Sequence, residues 1–396
     1  MFEWIAKFIG IVHFQRHWFQ FSLRSLFVIV VIAAVPFFWL SLKIEHKRLE
    51  REAVSALREL HASVRFDYEP TDPRVRLNST NEPPGPVWAR KLVGDNFFAE
   101  VVEITILPGK PDVAMTRAGL FKSLRHLYVK ASASDAGLRH IEPLRRLETL
   151  HLSSNKISDE GLRHLAGLQD LKSLYLKGTS ITDAGLVHLR NLTRLEQFVL
   201  ADAQVTGAGL VHLEGTSSLK VLSLPRTITD EGLVGLKDLT SLETILLART
   251  KVTDTGLKNL AMLKDLRHLD LRGTHMVGNG LVHLADLRKL ELLDLGKTNV
   301  TDAELVHLAA LTGLELLSLR GTSVSGAGLA HLKRLRTLRK LNLDATRVSD
   351  ADLSHLEGLD RLTTLDVDET QVTEAGVTEL KRRLPNCRIF RGKGKL

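Results

Sequence analysis

From about residue 124 onward the apolar positions recur in one phrase: LxxLxL, a short polar turn, one closing aliphatic residue, then a second apolar set at intervals of three. Around residue 190 the second set is Leu186, Leu189 and Leu192, the next LxxLxL is Leu195, Phe198 and Leu200, and Val205 closes the turn. The alternation in LxL predicts a short strand with its flanking residues inward and its middle residue outward. The leucines at 186, 189 and 192 share one arc of a following helix. Each element then has an apolar edge that a single unit cannot cover, so only stacked units make a core. Aligned on the phrase T-D-x-G-L, the units start at Asp135, Asp159, Asp183, Gly207, Asp230, Asp254, Gly278, Asp302, Gly326, Asp350 and Glu374, which is a 24-residue period shortened to 23 once, before Asp230. A more degenerate unit, ending in LRHLYVKASAS, precedes them.

The remainder of the chain divides by composition. Residues 1–24 form a basic segment, and Leu26 to Leu42 carry no charge between Arg24 and Lys43. A run of about 17 to 20 residues at roughly 1.5 Å each crosses a bilayer core, which predicts a transmembrane helix over 25–44, with Phe37, Phe38 and Trp39 at the interface. A cleavable signal peptide is the competing reading, but no small-x-small site follows the apolar run. Basic residues flank both sides, Lys7, Arg16 and Arg24 against Lys43, Lys47, Arg48 and Arg51, so the side of the membrane on which the repeats lie is not fixed. Residues 45–69 read as a juxtamembrane helix, a solvated spacer, leading into the strand-like SVRFDYE. Residues 70–86 read as a Pro-rich linker, 87–134 as an N-terminal cap with the degenerate first repeat, 135–373 as the repeats, and 374–396 as a C-terminal cap and basic tail.

The recurring polar residues have structural explanations. Thr182 and Asp183 stand where a helix start needs an oxygen for its free N–H groups, which predicts a cap at each unit. Thr206 and Ser325 keep the hydroxyl where Gly207 and Gly326 replace the aspartate; Val277 with Gly278 loses both, which predicts the weakest helix start unless Asn279 substitutes. Gly185 lies on the leucine arc and predicts a close backbone approach, while Glu304 and Asp352 in the equivalent slot show that a left-handed backbone is not obligatory there. The GAG and GNG pairs lack the third glycine of a nucleotide loop. His140, His164, His188, His212, His283, His307, His331 and His355 share one slot at the boundary between core and solvent. Neighbouring helices pack about 8 to 10 Å apart, whereas a shared zinc needs each nitrogen at about 2.0 to 2.1 Å. The expected role is hydrogen bonding between coils, with no metal.

Bulk composition adds three constraints. Aromatics make up 5% of 396 residues against 44% hydrophobic, the signature of a repetitive aliphatic core. The net charge of +8 sits partly beside the hydrophobic segment and in the tail RIFRGKGKL, which fits membrane flanks better than nucleic acid, so no nucleic-acid partner is expected. Cys387, the single cysteine, excludes an internal disulfide and a multi-cysteine metal site.

LETLHLSSNKI, Leu147 to Ile157, matches the pattern LxxLxLxxNxL, and on it the chain resembles the leucine-rich repeat family. Thr179, Thr250, Thr274, Thr298, Thr322, Thr346 and Thr370 stand at the Asn position in other units, where the hydroxyl is expected to bond the backbone of the next coil. The T-D-x-G-L opening is similar to the cysteine-containing subclass of F-box substrate adaptors, with Thr in place of Cys and without an F-box-like helical module. SLRSLF before the apolar run, FFAEVVEI ahead of the repeats and the terminal LPNCRIF resemble membrane-anchored bacterial leucine-rich repeat proteins. The resemblance implies an α/β solenoid, a horseshoe of about eleven 24-residue units behind a single N-terminal transmembrane helix.

The outward middle residue of each LxL is the position the repeat leaves free. In order these are His151, Tyr175, Val199, Ser223, Leu246, Asp270, Asp294, Ser318, Asn342 and Asp366. Tyr175, Val199, Leu246, Asp270, Asp294, Asn342 and Asp366 are the candidate partner-binding residues of the concave face, since solenoid strand faces commonly bind extended partners. Arg272, Lys297, Arg320, Arg339 and Lys340 beside them offset much of the acidity. The expected function is a membrane-tethered scaffold for protein–protein interaction, with a protein partner on this face and the lipid bilayer engaged through Leu26 to Leu42. A structural or adhesive envelope role, and an F-box-like adaptor, are the alternatives. No Ser-His-Asp phrase, phosphate loop or metal-ligand cluster points to an enzyme, so no catalytic residue and no cofactor is expected.

Overall fold

A computed structural model describes residues 23–70 and 82–392. The chain divides into two compact units, Met1–Glu52 and Ala53–Leu396. Helix Leu23–Glu59 supplies the described part of the first unit. The expected spanning segment, Leu26 to Leu42, falls within it, but the side chains of residues 26–29, 32, 33 and 36 lie outside the described residues. Among the described residues no helix is long and apolar enough to cross a membrane. Most of the Pro-rich linker, residues 71–81, is also outside the described residues.

The second unit is a single sheet with its strands in chain order. They are β1 (Ser63–Phe66), β2 (Val101–Ile106), β3 (His126–Val129), β4 (Thr149–Ser153), β5 (Ser173–Lys177), β6 (Gln197–Ala201), β7 (Val221–Ser223), β8 (Thr244–Leu246), β9 (His268–Asp270), β10 (Leu292–Asp294), β11 (Leu316–Ser318), β12 (Lys340–Asn342), β13 (Thr364–Asp366) and β14 (Arg388–Phe390). Strands β2 to β14 are all parallel, each pairing with the next, and β1 closes the first edge by pairing antiparallel with β2. This is the geometry that a 24-residue period dictates, because every coil must return to the same edge before the next strand begins.

The alternation of the LxL phrase sets which face of the sheet is buried. Leu174 and Leu176 of β5, and Phe198 and Leu200 of β6, are fully buried, and their middle residues are half-exposed. On the other side of each coil the helix is mostly 3-10, as in Asp183–Leu189 and Ala208–Leu213. Three residues per turn stack positions i and i+3 directly above one another. Leu186, Leu189 and Leu192 are accordingly all fully buried, a better match to their spacing than the α-helical arc expected of them. Residues ahead of the linker also enter this core. Ala53, Val54 and Leu57, in the stretch expected to be a solvated spacer, are buried in it beside Phe66 of β1.

Polar contacts within and between coils differ from the expected ones in two ways. The repeated Thr hydroxyls do not reach the next coil. Thr250, Thr274, Thr298, Thr322 and Thr346 donate to the carbonyls of Leu247, Leu271, Leu295, Leu319 and Leu343, three residues back in their own coil. Thr370 does the same with Val367, while Thr179 is buried without a partner. Asn155, the residue that completes the family pattern, is exposed; Ser154 takes the buried position and donates to Ala133 of the preceding coil.

The second difference concerns the aspartates. Some hydroxyls cap as expected, with Ser158 accepting from the Glu160 N–H and Thr182 from the Ala184 N–H. The aspartate of each pair instead serves the following coil. Asp135 accepts from the N–H and hydroxyl of Ser158 at 2.9 and 2.6 Å, and Asp159 accepts in the same way from Thr182. Asp112, Asp230, Asp302 and Asp350 repeat the arrangement with Ser134, Thr253, Ser325 and Thr373. Asp183 accepts four hydrogen bonds, from the N–H and hydroxyl of Thr206 and the N–H groups of Gly207 and Gly209. At the uncapped start formed by Val277 and Gly278, Asp254 accepts from the N–H groups of Val277, Gly278 and Gly280, so the missing cap comes from the coil before and not from Asn279.

These clamps explain the recurrent glycine. A Cβ on Gly185 would lie 2.3 Å from Oδ1 of Asp159, and one on Gly161 would lie 2.2 Å from Oδ1 of Asp135. Glu304 and Asp352 stand in that slot where the preceding coil has Gly278 or Gly326 in place of aspartate. There the carboxylate acts within its own coil: Glu304 accepts from the N–H and hydroxyl of Thr301, and Asp352 from those of Ser349.

Candidate binding face

The sheet brings every candidate partner-binding residue into one row. Tyr175 pairs with Val199, Val199 with Ser223, Ser223 with Leu246 and Leu246 with Asp270. The row continues through Asp294, Ser318, Asn342 and Asp366. It extends further at both ends, to Tyr128 and His151 on one side and Phe390 on the other. Tyr128 and Phe390 lie in the phrases LRHLYV and NCRIF, whose final residues fit the alternation less well. Counting outward from Leu127 and Ile389 would have found both.

The row has two chemically different halves. At the β3 to β6 end the side chains stack: the Tyr128 and His151 rings are 4.8 Å apart, and His151 lies nearly parallel to Tyr175 at 3.9 Å. The Tyr175 hydroxyl donates to Oε1 of Gln197 at 2.5 Å, which holds the ring against the neighbouring strand. Half-burial pushes the His151 pKa below its ordinary value, and the charge of Lys130 adds to the effect; burial likewise raises the Tyr128 hydroxyl. Both groups are therefore uncharged at neutral pH, and the patch is aromatic and amphipathic. Val199 and Leu246 extend its apolar character, with Leu246 36% exposed. Lys130 and Ser153, at the ends of the strands carrying Tyr128 and His151, line a cavity of about 580 Å³ together with Lys110, Lys156 and the turn at Gly109.

In the second half the carboxylates are engaged by their own backbone. Asp270 accepts from the Arg272 N–H at 2.9 Å, Asp294 from the Gly296 N–H at 2.8 Å, and Asn342 from the Asp344 N–H at 3.0 Å. These contacts close the turn after each strand in the manner of an Asx turn. Arg320 reaches the buried Asp344 at 2.5 Å, and Asn342 donates to Asp366 at 3.3 Å. Burial raises the Asp270 carboxyl, with the neighbouring Asp294 charge adding to it, and burial followed by the Asp344 charge raises Asp366. These groups hold the turns together and leave fewer free lone pairs than their number suggests.

The histidine slot behaves as a boundary position. His164 is buried with its Nδ1 against Glu142 of the preceding coil, His283 is exposed, and the other six are half-buried. Among the described residues no group of three or more His, Cys, Asp or Glu is placed to hold a metal ion. Cys387 is buried in the C-terminal cap, and burial pushes its thiol up to about 11.

A continuous parallel sheet with one short strand per 24-residue coil, and leucines closing both sides, decides the architecture. The fold is that of leucine-rich repeat proteins. A sequence profile described as Leucine Rich repeat matches residues 145–166. An internalin from Listeria monocytogenes is similar over 78% of this chain and 94% of its own, at 19% identity and a TM-score of 0.54. A leucine-rich repeat protein of Leptospira interrogans is similar over 69% of this chain and 74% of its own, at 20% identity and the same TM-score. No curated protein matches the chain by sequence. The leucine-rich repeat likeness places the LxL row on the sheet face and the 3-10 segments behind it.

Proposed function

We propose that the leucine-rich repeat unit is a protein-binding scaffold whose partner docks on the sheet face over β3 to β8. Solenoids of this kind generally mediate protein–protein interaction through such faces. The observation that carries the reading is the in-register stack of Tyr128, His151 and Tyr175. The leucines beneath it close the core, so the stack is not needed to cover the aliphatic edges of the coils. Half-buried tyrosines with a polar tip are the side chains that most often dominate a protein interface. The engaged carboxylates of β9 to β13 make a poorer anchor, because a partner would have to compete with their turn contacts.

The tethering half of the proposal rests on Leu26 to Leu42, which is free of charge in the sequence and lies within helix Leu23–Glu59. Val35, Phe37, Phe38 and Trp39 are more than half exposed there, and Lys43 lies over the Trp39 ring at 5.1 Å. Apolar side chains of this size exposed along one helix fit a bilayer, with Trp and Lys at its boundary.

One experiment tests both halves. Membranes from cells producing the full chain are washed at alkaline pH, then solubilised, and the partners captured on it are compared with those of Tyr175→Ala. The chain should remain in the washed pellet, and the variant should lose its partner by about tenfold or more in affinity while still melting as a folded protein. Release by the wash would remove the tether, and a variant that keeps every wild-type partner would remove the face.

A further inference from the structure

On the edge of the solenoid where each 3-10 segment returns to the next strand, charges pair from coil to coil. Asp170 is 2.6 Å from Arg194, Asp265 is 2.5 Å from Lys289, and Asp286 is 3.8 Å from Lys264. The pairing is interrupted where the slot is uncharged, as at Ser218, Ser241 and Gly313, and at the last of these the neighbouring charges have one sign. Ala309, Ala310, Thr312 and Gly313 carry no charge, and the charged side chains that line the gap beside them are all cationic: Arg288 from the coil before, and Lys333, Arg334 and Arg336 from the coil after. These residues line an open surface trough of about 690 Å³ with no carboxylate in its lining. Among the described residues no ion pair or side-chain hydrogen bond engages any of the four.

The floor is fixed. The Thr337 hydroxyl donates to the carbonyls of Thr312 and Leu314 at 2.7 and 2.8 Å. A Cβ on Gly313 would lie 2.8 Å from the Arg288 carbonyl, so the glycine keeps that approach open. Four like charges facing one space repel one another, and elsewhere on this edge an acid in the neighbouring coil relieves such repulsion. Here the acid is missing and the room for one is present.

We propose that this trough is a binding site for a multiply charged phosphate group, held by Arg288 and Arg336 from opposite walls and neutralised by Lys333 and Arg334. Three guanidinium groups match the bidentate geometry of phosphate oxygens. The group can belong to a soluble phosphorylated compound or to a lipid headgroup, and the chemistry recognised is the same. The site lies off the sheet face and does not depend on what binds there.

The probe is inorganic pyrophosphate, titrated calorimetrically into the full-length chain in a non-ionic detergent at fixed ionic strength. The expected result is one saturable site, weakened about tenfold by Arg288→Ala and by Arg336→Ala, and abolished by Ala310→Glu. That last variant removes no cation; it puts the missing carboxylate in place, and it should leave the melting temperature unchanged or raise it. Arg190→Ala, which removes an exposed arginine of another coil, should leave binding unchanged. Absence of saturable binding, or an equal loss in Arg190→Ala and Arg288→Ala, would overturn the proposal. With the site established, short-chain phosphatidic acid in the same micelles assigns the source: competition with pyrophosphate means a headgroup, and none means a soluble ligand.

Discussion

Asp183 shows how much a single side chain does at a coil boundary. Its two oxygens accept four donors from the next coil. Burial alone would raise its pKa, but the Thr206 hydroxyl and the N–H groups of Gly209, Thr206 and Gly207 outweigh that and hold it below 3.8. A carboxyl whose folded pKa is depressed contributes stability that is present above the unfolded value and is lost as pH falls through the folded one. Asp183→Asn presents an amide N–H to donors that need an acceptor, and is expected to cost about 2 to 3 kcal/mol at neutral pH. Denaturant melts of both proteins from pH 7 downward should show that difference closing below 3.8; a gap that stays constant through the acid range would assign the loss to packing. At this scale the sequence was only half legible. A Ser/Thr-Asp pair before a helix fits own-helix capping as well as clamping the next coil, and nothing local distinguishes them. The left-handed position after each strand was hidden for a related reason. Gly178, Gly273 and Gly321 mark it, but Asp202, Arg249, Lys297, Ala345 and Glu369 occupy it elsewhere with φ between 53 and 59°.

At the scale of one coil, the slots exchange roles in pairs. An aspartate at the unit start goes with a glycine in the next coil's close-approach slot, and two of the three glycine starts, Gly278 and Gly326, go with an acid there, Glu304 and Asp352. Gly326 and Asp352 are the cleanest case, because Gly326 has an ordinary φ and its Cβ would lie 1.8 Å from Oδ1 of Asp352. Gly326→Asp alone crowds two carboxylates onto Ser349, and Asp352→Gly alone leaves the Ser349 N–H and hydroxyl without their acceptor. Each is expected to cost about 1 to 3 kcal/mol. Made together they recreate the arrangement of Asp302 with Ser325, and the double variant should recover at least about 1 kcal/mol relative to the sum. Additive costs in a thermal or denaturant cycle would show that the two positions are independent. Both members of the exchange were visible in the sequence as exceptions to the repeat. Their coupling was not, because it depends on which residues face each other across coils, and that is set by the stacking.

At the scale of the whole solenoid, three boundaries have a glycine start and no aspartate reaching across from it, and at one of them the close-approach slot also lacks an acid. The start at Gly207 has no carboxylate, and the next coil's slot holds Gly232 in place of an acid. A Cβ on Gly207 would lie 2.3 Å from the Gly232 Cα, so the two backbones meet with no side chain between them. The same coil is the 23-residue one. It has Pro225 after β7, which removes a ladder N–H, and its Thr227 hydroxyl bonds back to Val205. Stability in a stacked array is a sum of unit and nearest-neighbour terms, so opening concentrates where the neighbour term is smallest. Native-state hydrogen exchange should therefore divide the repeats into two cooperative blocks, residues 53–206 and residues 230–392, with amides near Leu224 and Ile228 exchanging through the lowest-energy opening. The two proposed sites fall in different blocks, the aromatic stack in the first and the cationic trough in the second, so occupancy of either should slow exchange chiefly within its own block. Uniform protection from Leu174 to Leu365, lost in a single step with denaturant, would mean that the leucines carry the stack across this boundary without help from the clamps.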